Sequence, residues 1–301
     1  MRADDQITDR KLEKADFNDI YDRPDPRAYY DRLGSLDYAV PHHGQRVFRK
    51  VLDALDVDSP TVVDLCCSYG VNAALMKCDL TLDHLYDHYA ADQVAHLAPE
   101  ALADEDRSFY RSRRREAAPR VIGLDTASSA VDYAVHVGLL DAGASDNLEQ
   151  NDPSPELAQI VGEADLITVT GGIGYITDRS IDRLLDCTSP DRRPWFAALC
   201  LRTVDFTPVA DTLARHGLIT EQLDNATFPQ RRFADDLERE FALRSLAEQG
   251  LDPTGKEADG EYHVNVFLSR PREDVAVAPI DAILEDLAPP DTASATNHLL
   301  G

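Results

Sequence analysis

Twelve residues, Thr61–Asn72 (TVVDLCCSYGVN), constrain this chain more than any other segment. Val62, Val63 and Leu65 make an apolar run of strand length, and the small, turn-prone residues Cys66–Gly70 break it. A helical pattern then opens at Val71. A buried strand feeding a tight turn and a helix is the repeating unit of parallel α/β sheets. Its turn presents backbone N–H groups and a helix N-terminus to a ligand at the carboxyl edge of the sheet. Asp64 closes the strand, where a carboxylate can meet a cationic amine.

The same unit recurs along the chain. Gln45–Leu55 is an amphipathic helix with Val47, Val51 and Leu55 on one face. Arg120–Asp125 (RVIGLD) is a second strand that again closes on an acid. A helix over Ala127–Leu140 follows, with Gly143 placed as its C-cap. Ala144–Gln150 reads as a short third strand and Leu157–Val161 as a helix fragment. Ala164–Thr170 is a β-branched fourth strand that runs into Gly171-Gly172-Ile173-Gly174-Tyr175. Asp178–Cys187 is helical, Trp195–Arg202 is the fifth strand and Pro208–His216 the next helix. Leu218–Leu223 and Tyr262–Leu268 are the last strands, with a helix over Ala234–Gln249 between them. Alternation of this kind specifies an α/β fold with a doubly wound, mostly parallel, seven-stranded sheet.

Around that sheet the sequence divides into an N-terminal helical cap (1–45), a main domain (46–271) with a helical insertion at about 79–119, and an acidic, peripheral tail (272–301). The cap is rich in aromatics: Phe17, Tyr21, Tyr29, Tyr30 and Tyr38. They serve either as packing or as a wall that holds a cation by its attraction to aromatic faces.

Charge limits the partners. The chain carries 40 Asp and 15 Glu against 25 Arg and 5 Lys, a net charge of −25. Such a field repels nucleic-acid phosphates and favours a small-molecule substrate. The one basic run, Arg111–Arg115 (RSRRR), reads as a solvated helix face. An acidic, Lys-poor surface also suits high salt, where screening removes self-repulsion. No apolar run reaches bilayer-spanning length and no signal-peptide core is present, so a soluble cytoplasmic protein without a membrane partner is expected. The five cysteines (Cys66, Cys67, Cys78, Cys187, Cys200) have no metal-ligand spacing, so no metal site is expected and free thiols are. A homodimer is one option for the assembly.

In open α/β sheets ligands bind outside the carboxyl ends of the strands, which selects the loops Cys66–Gly70, Asp125–Ala127, Gly171–Tyr175 and Arg202–Asp205. Asp125, with Thr126 beside it, can accept hydrogen bonds from ribose hydroxyls or cap the helix that follows. The layout resembles the class I S-adenosylmethionine (SAM) dependent methyltransferases, whose first motif is an acid-x-Gly-x-Gly-x-Gly run. Asp64 and Gly70 match it, whereas Cys66 and Ser68 stand where the family has glycine. The gap of 55 residues from Gly70 to Asp125 exceeds the usual spacing of about 20.

The resemblance covers about residues 45–270 and implies SAM as the cofactor. It places the methionine end on Asp64, Cys66, Ser68 and Gly70, ribose on Asp125, and adenine near Asp146 or Asn147. Gly171 and Gly172 would flank the methionine moiety, with Tyr175 facing the substrate. It also implies an antiparallel last strand. Acid–base candidates are His42 and His43, expected in a loop between cap and core, with Tyr175 and His263. The expected activity is methyl transfer to a small-molecule nitrogen or oxygen nucleophile. Two alternatives stay open: attack on the aminocarboxypropyl carbon or cyclisation of SAM, and a non-catalytic SAM-binding module.

Overall fold

The structure is a computed structural model that describes residues 18–224 and 226–287. Phe17 and the end of the acidic tail lie outside the described residues. Eight strands form one sheet: β1 (Thr61–Leu65), β2 (Arg120–Leu124), β3 (Ala142–Ala144), β4 (Leu166–Thr170), β5 (Trp195–Leu201), β6 (Leu218–Gln222), β7 (Phe228–Arg232) and β8 (Glu261–Pro271). The order is β3-β2-β1-β4-β5-β8-β6, with β7 also paired to β8. β1 is parallel to both β2 and β4, so Val63 lies between Ile122 and Ile167 in register. β8 is antiparallel to β5, and its outer edge is shared by β6 and β7. The chain reverses direction across the sheet at β1/β4, the crevice where open α/β sheets take ligands.

β1, β4 and β5 are apolar on both faces because helices cover both sides. One layer of core contains Val62, Phe48, Leu75 and Ala197; the other contains Val63, Ile122, Ile167 and Phe196. This alternation of neighbours between layers is the period-2 signature of a strand.

Several expectations shift. The third strand is Ala142–Ala144, so Gly143 is a strand residue rather than a helix cap. The helix before it ends at His136, and Gly138 takes the left-handed position at φ 81°. Leu139 N–H then reaches Ala134 O at 3.0 Å and Gly138 N–H reaches Val135 O at 3.1 Å, closing the helix as a Schellman motif. β7 joins the seven expected strands as an eighth. Its sequence, FPQRR, lacks apolar alternation and contains proline, which an edge strand tolerates at the bulge seen between Pro229 and Arg231. The helix expected from Gln45 begins at Val40, so His42 and His43 lie in its opening turns and not in a loop. Position 45 is therefore inside a continuous helix.

The insertion folds as helices Leu82–Ala90, Asp92–Ala95 and Pro99–Arg111. Its centre is Asp106, fully buried, bonded to His88 Nε2 at 2.6 Å, to Tyr89 OH at 2.8 Å and to Tyr133 OH. Tyr133 belongs to the helix Ser128–His136, so Asp106 fastens the insertion to the main domain. Cations at this junction cap the same helix: Arg107 Nε donates to His136 O at 3.1 Å and Lys77 Nζ to Leu139 O at 2.7 Å. Positive groups complement the negative end of a helix dipole, and Arg114 of the basic run joins them through Gly138 O at 3.5 Å.

The cap segment lies over the carboxyl edge. Tyr69, in the β1 turn, accepts from Arg23 N–H at 2.9 Å and packs its ring on Tyr29 at 5.8 Å. Leu36 O accepts from Arg232 N–H at 2.8 Å and Ala39 N–H donates to Gln230 O at 2.7 Å, covering the outer edge of β7. Beyond Pro271 the chain is not wholly peripheral, because Ile280, Leu284 and Leu287 are buried in the core. Among the described residues no helix is long and apolar enough to cross a membrane.

Candidate functional site

The turn after β1 has an unusual backbone. Cys66, Ser68 and Gly70 have φ of 55°, 48° and 73°, so every second residue is left-handed. That region costs a side-chain-bearing residue about 1–2 kcal/mol, and glycine much less. The two residues that depart from the glycine motif therefore adopt the conformation glycine would supply. The N–H groups of this turn close on the protein itself: those of Cys66 and Cys67 reach Leu124 O at 2.8 and 3.4 Å, and that of Gly70 reaches Cys67 O at 2.9 Å.

Glycines elsewhere make room for the added side chains. A Cβ on Gly172 would lie 2.7 Å from Cys66 Sγ, and one on Gly123 would lie 2.6 Å from Cys67 Sγ. Both contacts are far inside van der Waals distance. Burial drives both thiols well above their ordinary pKa, so they are packing groups rather than nucleophiles, and all five cysteines are free.

Asp125 follows β2 directly. Its carboxylate accepts from Ser68 N–H at 2.9 Å and from Ala127 N–H at 3.0 Å, so it ties the β1 turn to the start of the next helix. Burial raises its pKa, against the lowering effect of those N–H groups. Asp22, from the cap, accepts from Ser129 N–H at 2.9 Å on that helix. The Ser68 hydroxyl is buried and has no partner, which marks the turn as built to meet a further group.

Asp64 is 0% exposed and lies beneath the turn. Its Oδ1 accepts from Thr168 Oγ1 at 2.7 Å and from Asn72 Nδ2 at 3.2 Å, while Asn72 also reaches Thr170 Oγ1 at 3.1 Å. Burial lifts its carboxyl to about 7, with the Thr168 and Asn72 bonds pulling it down. Asp64 thus ties β1 to β4 from inside, and Oδ2 has only a long Asn72 contact of 3.4 Å.

After β4, Gly171 has φ 68° and Gly174 φ 106°. Tyr175 is 52% exposed on this loop. Tyr21 and Tyr38 of the cap, Tyr175 of the β4 loop and Arg231 of β7 lie near one another, so these three elements meet in one region. Tyr29 and Tyr30 are buried in the cap, so the packing role holds for them, while Tyr21 and Tyr38 are only half-buried.

No family model and no curated protein matches this sequence. Solved structures of similar shape include the plantazolicin methyltransferase BpumL in complex with a pentazolic desmethylPZN analog and SAH (10% identity, 89% of this chain and 99% of that one, TM-score 0.46). Another is magnesium protoporphyrin IX methyltransferase from Synechocystis PCC 6803 with bound SAM (13% identity, 90% and 100% covered, TM-score 0.40). A third is the YcgJ protein from Bacillus subtilis (10% identity, 77% and 100% covered, TM-score 0.41). At such distances the strand order carries the fold assignment by itself.

The remaining candidates divide. Thr126 is exposed beside Asp125, and its N–H faces the Asp125 carboxylate. Asn147 lies beyond β3, where its Oδ1 accepts from Glu149 N–H at 3.1 Å, and Asp146 accepts from Ser154 N–H at 2.7 Å. His43 faces Phe228 of β7 at 5.0 Å between ring centres, and its Nδ1 is buried without a partner. Burial, then His42 and Arg46, bring its pKa down to about 4, so it is neutral at pH 7. His42 is exposed beside it. His263 Nδ1 meets Thr227 Oγ1 at 3.0 Å, and burial lowers its pKa too.

Four residues at this edge escaped the sequence reading: Asp22, Asn72, Glu149 and Gln230. Asn72 sits two residues after Gly70, a spacing that sequence could have flagged. Glu149 binds Thr177 N–H at 2.8 Å and caps the helix after the β4 loop, a contact without local signature. No local pattern marks Gln230, because its strand was not recognisable.

Proposed function

We propose that this protein is a SAM-dependent methyltransferase acting on a nitrogen or oxygen nucleophile of a small molecule. The observation that carries the reading is the left-handed turn Cys66–Gly70 locked to Asp125 through the Ser68 N–H. It places a buried, unpartnered hydroxyl next to a carboxylate, matching a ligand with a polar end and a diol. The unpartnered Ser68 hydroxyl would meet the methionine end. Asp125 would accept from the ribose hydroxyls, and Thr126 and Asn147 lie toward the adenine side. Gly171 and Gly172 allow the β4 loop to approach closely.

When bound, SAM supplies an electrophilic methyl group on a sulfonium. The chain's part is to hold, orient and dry the site. The cap shields the carboxyl edge from water, and the half-buried rings of Tyr21 and Tyr38 suit a cation. Tyr175 lies on the open side where an acceptor enters. His43, neutral and nearby, accepts a hydrogen bond; with so low a pKa it orients a donor more than it takes a proton. The acidic surface supports a small-molecule partner over nucleic acid and fits a cytoplasmic enzyme.

Product analysis tests the reaction. S-adenosylhomocysteine (SAH) formed with a methylated acceptor is the expected outcome. Methylthioadenosine would instead assign aminocarboxypropyl transfer or cyclisation. Tight SAM binding without turnover by any acceptor would leave a binding module.

A further inference from the structure

Among the described residues, eight buried side-chain nitrogen or oxygen atoms have no hydrogen-bond partner. Three are Nε atoms of Arg49, Arg193 and Arg270, whose guanidinium groups are bonded through other nitrogens. The other five belong to His43, Ser68, Gln230, Glu257 and His263, and all lie at the carboxyl edge of the sheet. Folded interiors rarely leave such groups unpaired, because the unpaired state is costly. Their gathering at one edge marks a place that a ligand completes.

Ser68 belongs to the β1 turn. Glu257 is bonded to Arg202 through its other oxygen, and His263 to Thr227 through its other nitrogen, with Glu261 Oε1 3.4 Å from its Nε2. Gln230 and His43 remain, and the segments that carry them pack together. The Gln230 carbonyl holds Ala39 N–H at 2.7 Å, one residue before the helix that carries His43. Phe228, two residues before Gln230, packs on the His43 ring at 5.0 Å. Gln230 is 5% exposed, and its Nε2 lies 2.7 Å from where a Gly171 Cβ would stand. Only glycine at the end of β4 admits this amide.

Strand order decides which part of the ligand they meet. Asp125 and the β1 turn lie on one side of β4, and Gln230 on β7 lies on the other. With the ribose at β2 and the methionine end at β1, the reacting end points toward β4 and Gln230. The cations nearest this amide are already engaged, Arg231 by Glu238 and Arg202 by Glu257, which disfavours a carboxylate or phosphate there.

We infer that Gln230 Oε1 and His43 Nδ1 bind the methyl acceptor by receiving its N–H or O–H, and that the acceptor is a neutral or cationic amine or hydroxyl compound. The inference rests on the methyltransferase reading above. Nε2 of this amide is turned toward Gly171, which leaves Oε1 as the unpartnered end and as an acceptor of hydrogen bonds.

Gln230→Met, nearly isosteric and apolar, tests it without knowledge of the acceptor. The variant should melt no lower than the wild type, because it removes an unpaired polar group, and its SAH dissociation constant should stay within two-fold. A clearly lower melting temperature would show that the amide has a structural partner, and a ten-fold weaker SAH affinity would move it to the cofactor; either result overturns the inference. A crystal structure of the wild type with SAH provides the second readout. Ordered water on both Gln230 Oε1 and His43 Nδ1, in one cavity open to the SAH sulfur, is expected. A wall of protein between them and the sulfur would contradict the inference. Failure of the wild type to bind SAH would instead remove the methyltransferase reading beneath it.

Discussion

Two aspartates, Asp106 and Asp64, are both 0% exposed, yet they are buried for different ends. Asp106 sits among helices and is met by His88, Tyr89 and Tyr133, all from elements it fastens together. Asp64 sits under the ligand edge, and burial leaves its carboxyl near 7 with one oxygen barely engaged. A buried acid with a full set of donors acts as a pin. One with spare capacity beside a strained turn is the kind of group the proposed site would use. The same contrast separates the satisfied Asp106 network from the unpaired atoms of Ser68, Gln230 and His43.

Asp106→Leu probes the pin and should have the largest effect. It strands the Tyr133 hydroxyl and the His88 imidazole in the interior and leaves Tyr89 only its bond to Tyr110, costing about 3–5 kcal/mol of unfolding free energy in urea titration. SAH affinity of the molecules that remain folded should be unchanged; a parallel loss of affinity would merge the two regions into one.

Asp64→Asn comes next and reads out through pH. A carboxyl whose pKa is raised in the folded state stabilises fully below its ordinary value, and that contribution is lost as pH rises through the folded value. The wild type should therefore lose about 2–3 kcal/mol relative to Asp64→Asn between pH 4 and 7, with no further change above pH 8. A stability difference independent of pH would contradict the burial argument.

The smallest effect tests how the strained turn is accommodated. Gly172→Ala forces a methyl against Cys66 Sγ and should cost about 1–3 kcal/mol. Cys66→Gly removes that obstacle and also relieves the left-handed strain, so the double variant should recover much of the loss. Strict additivity of the two substitutions would disconnect the loops.

Much of this was legible in the residues. Strands ending in Asp64 and Asp125 were visible because a parallel sheet needs continuous apolar runs; Asp125 stands at the edge after β2, whereas Asp64 is buried beneath the turn and bonded to Thr168 and Asn72. The run TVVDLCCSYG disclosed its turn but not its geometry, since Cys66 and Ser68 do not advertise positive φ. Only the partners across the sheet, Gly172 and Gly123, show how those side chains are tolerated. β7 was hidden because FPQRR carries no period-2 pattern; its strand exists through pairing with β8 and the cap. Gln230 was therefore invisible for the same reason. His42 and His43 were misplaced into a loop because Pro41 suggested a break, whereas proline is well suited to the first turn of a helix.

Isothermal titration of SAM and SAH into the wild type and Asp125→Ala tests the central claim most directly. The account predicts saturable one-to-one binding to the wild type, weakened at least ten-fold in Asp125→Ala while that variant stays folded. Absence of binding to the wild type, or equal affinity in the variant, would contradict a SAM site between the β1 turn and Asp125.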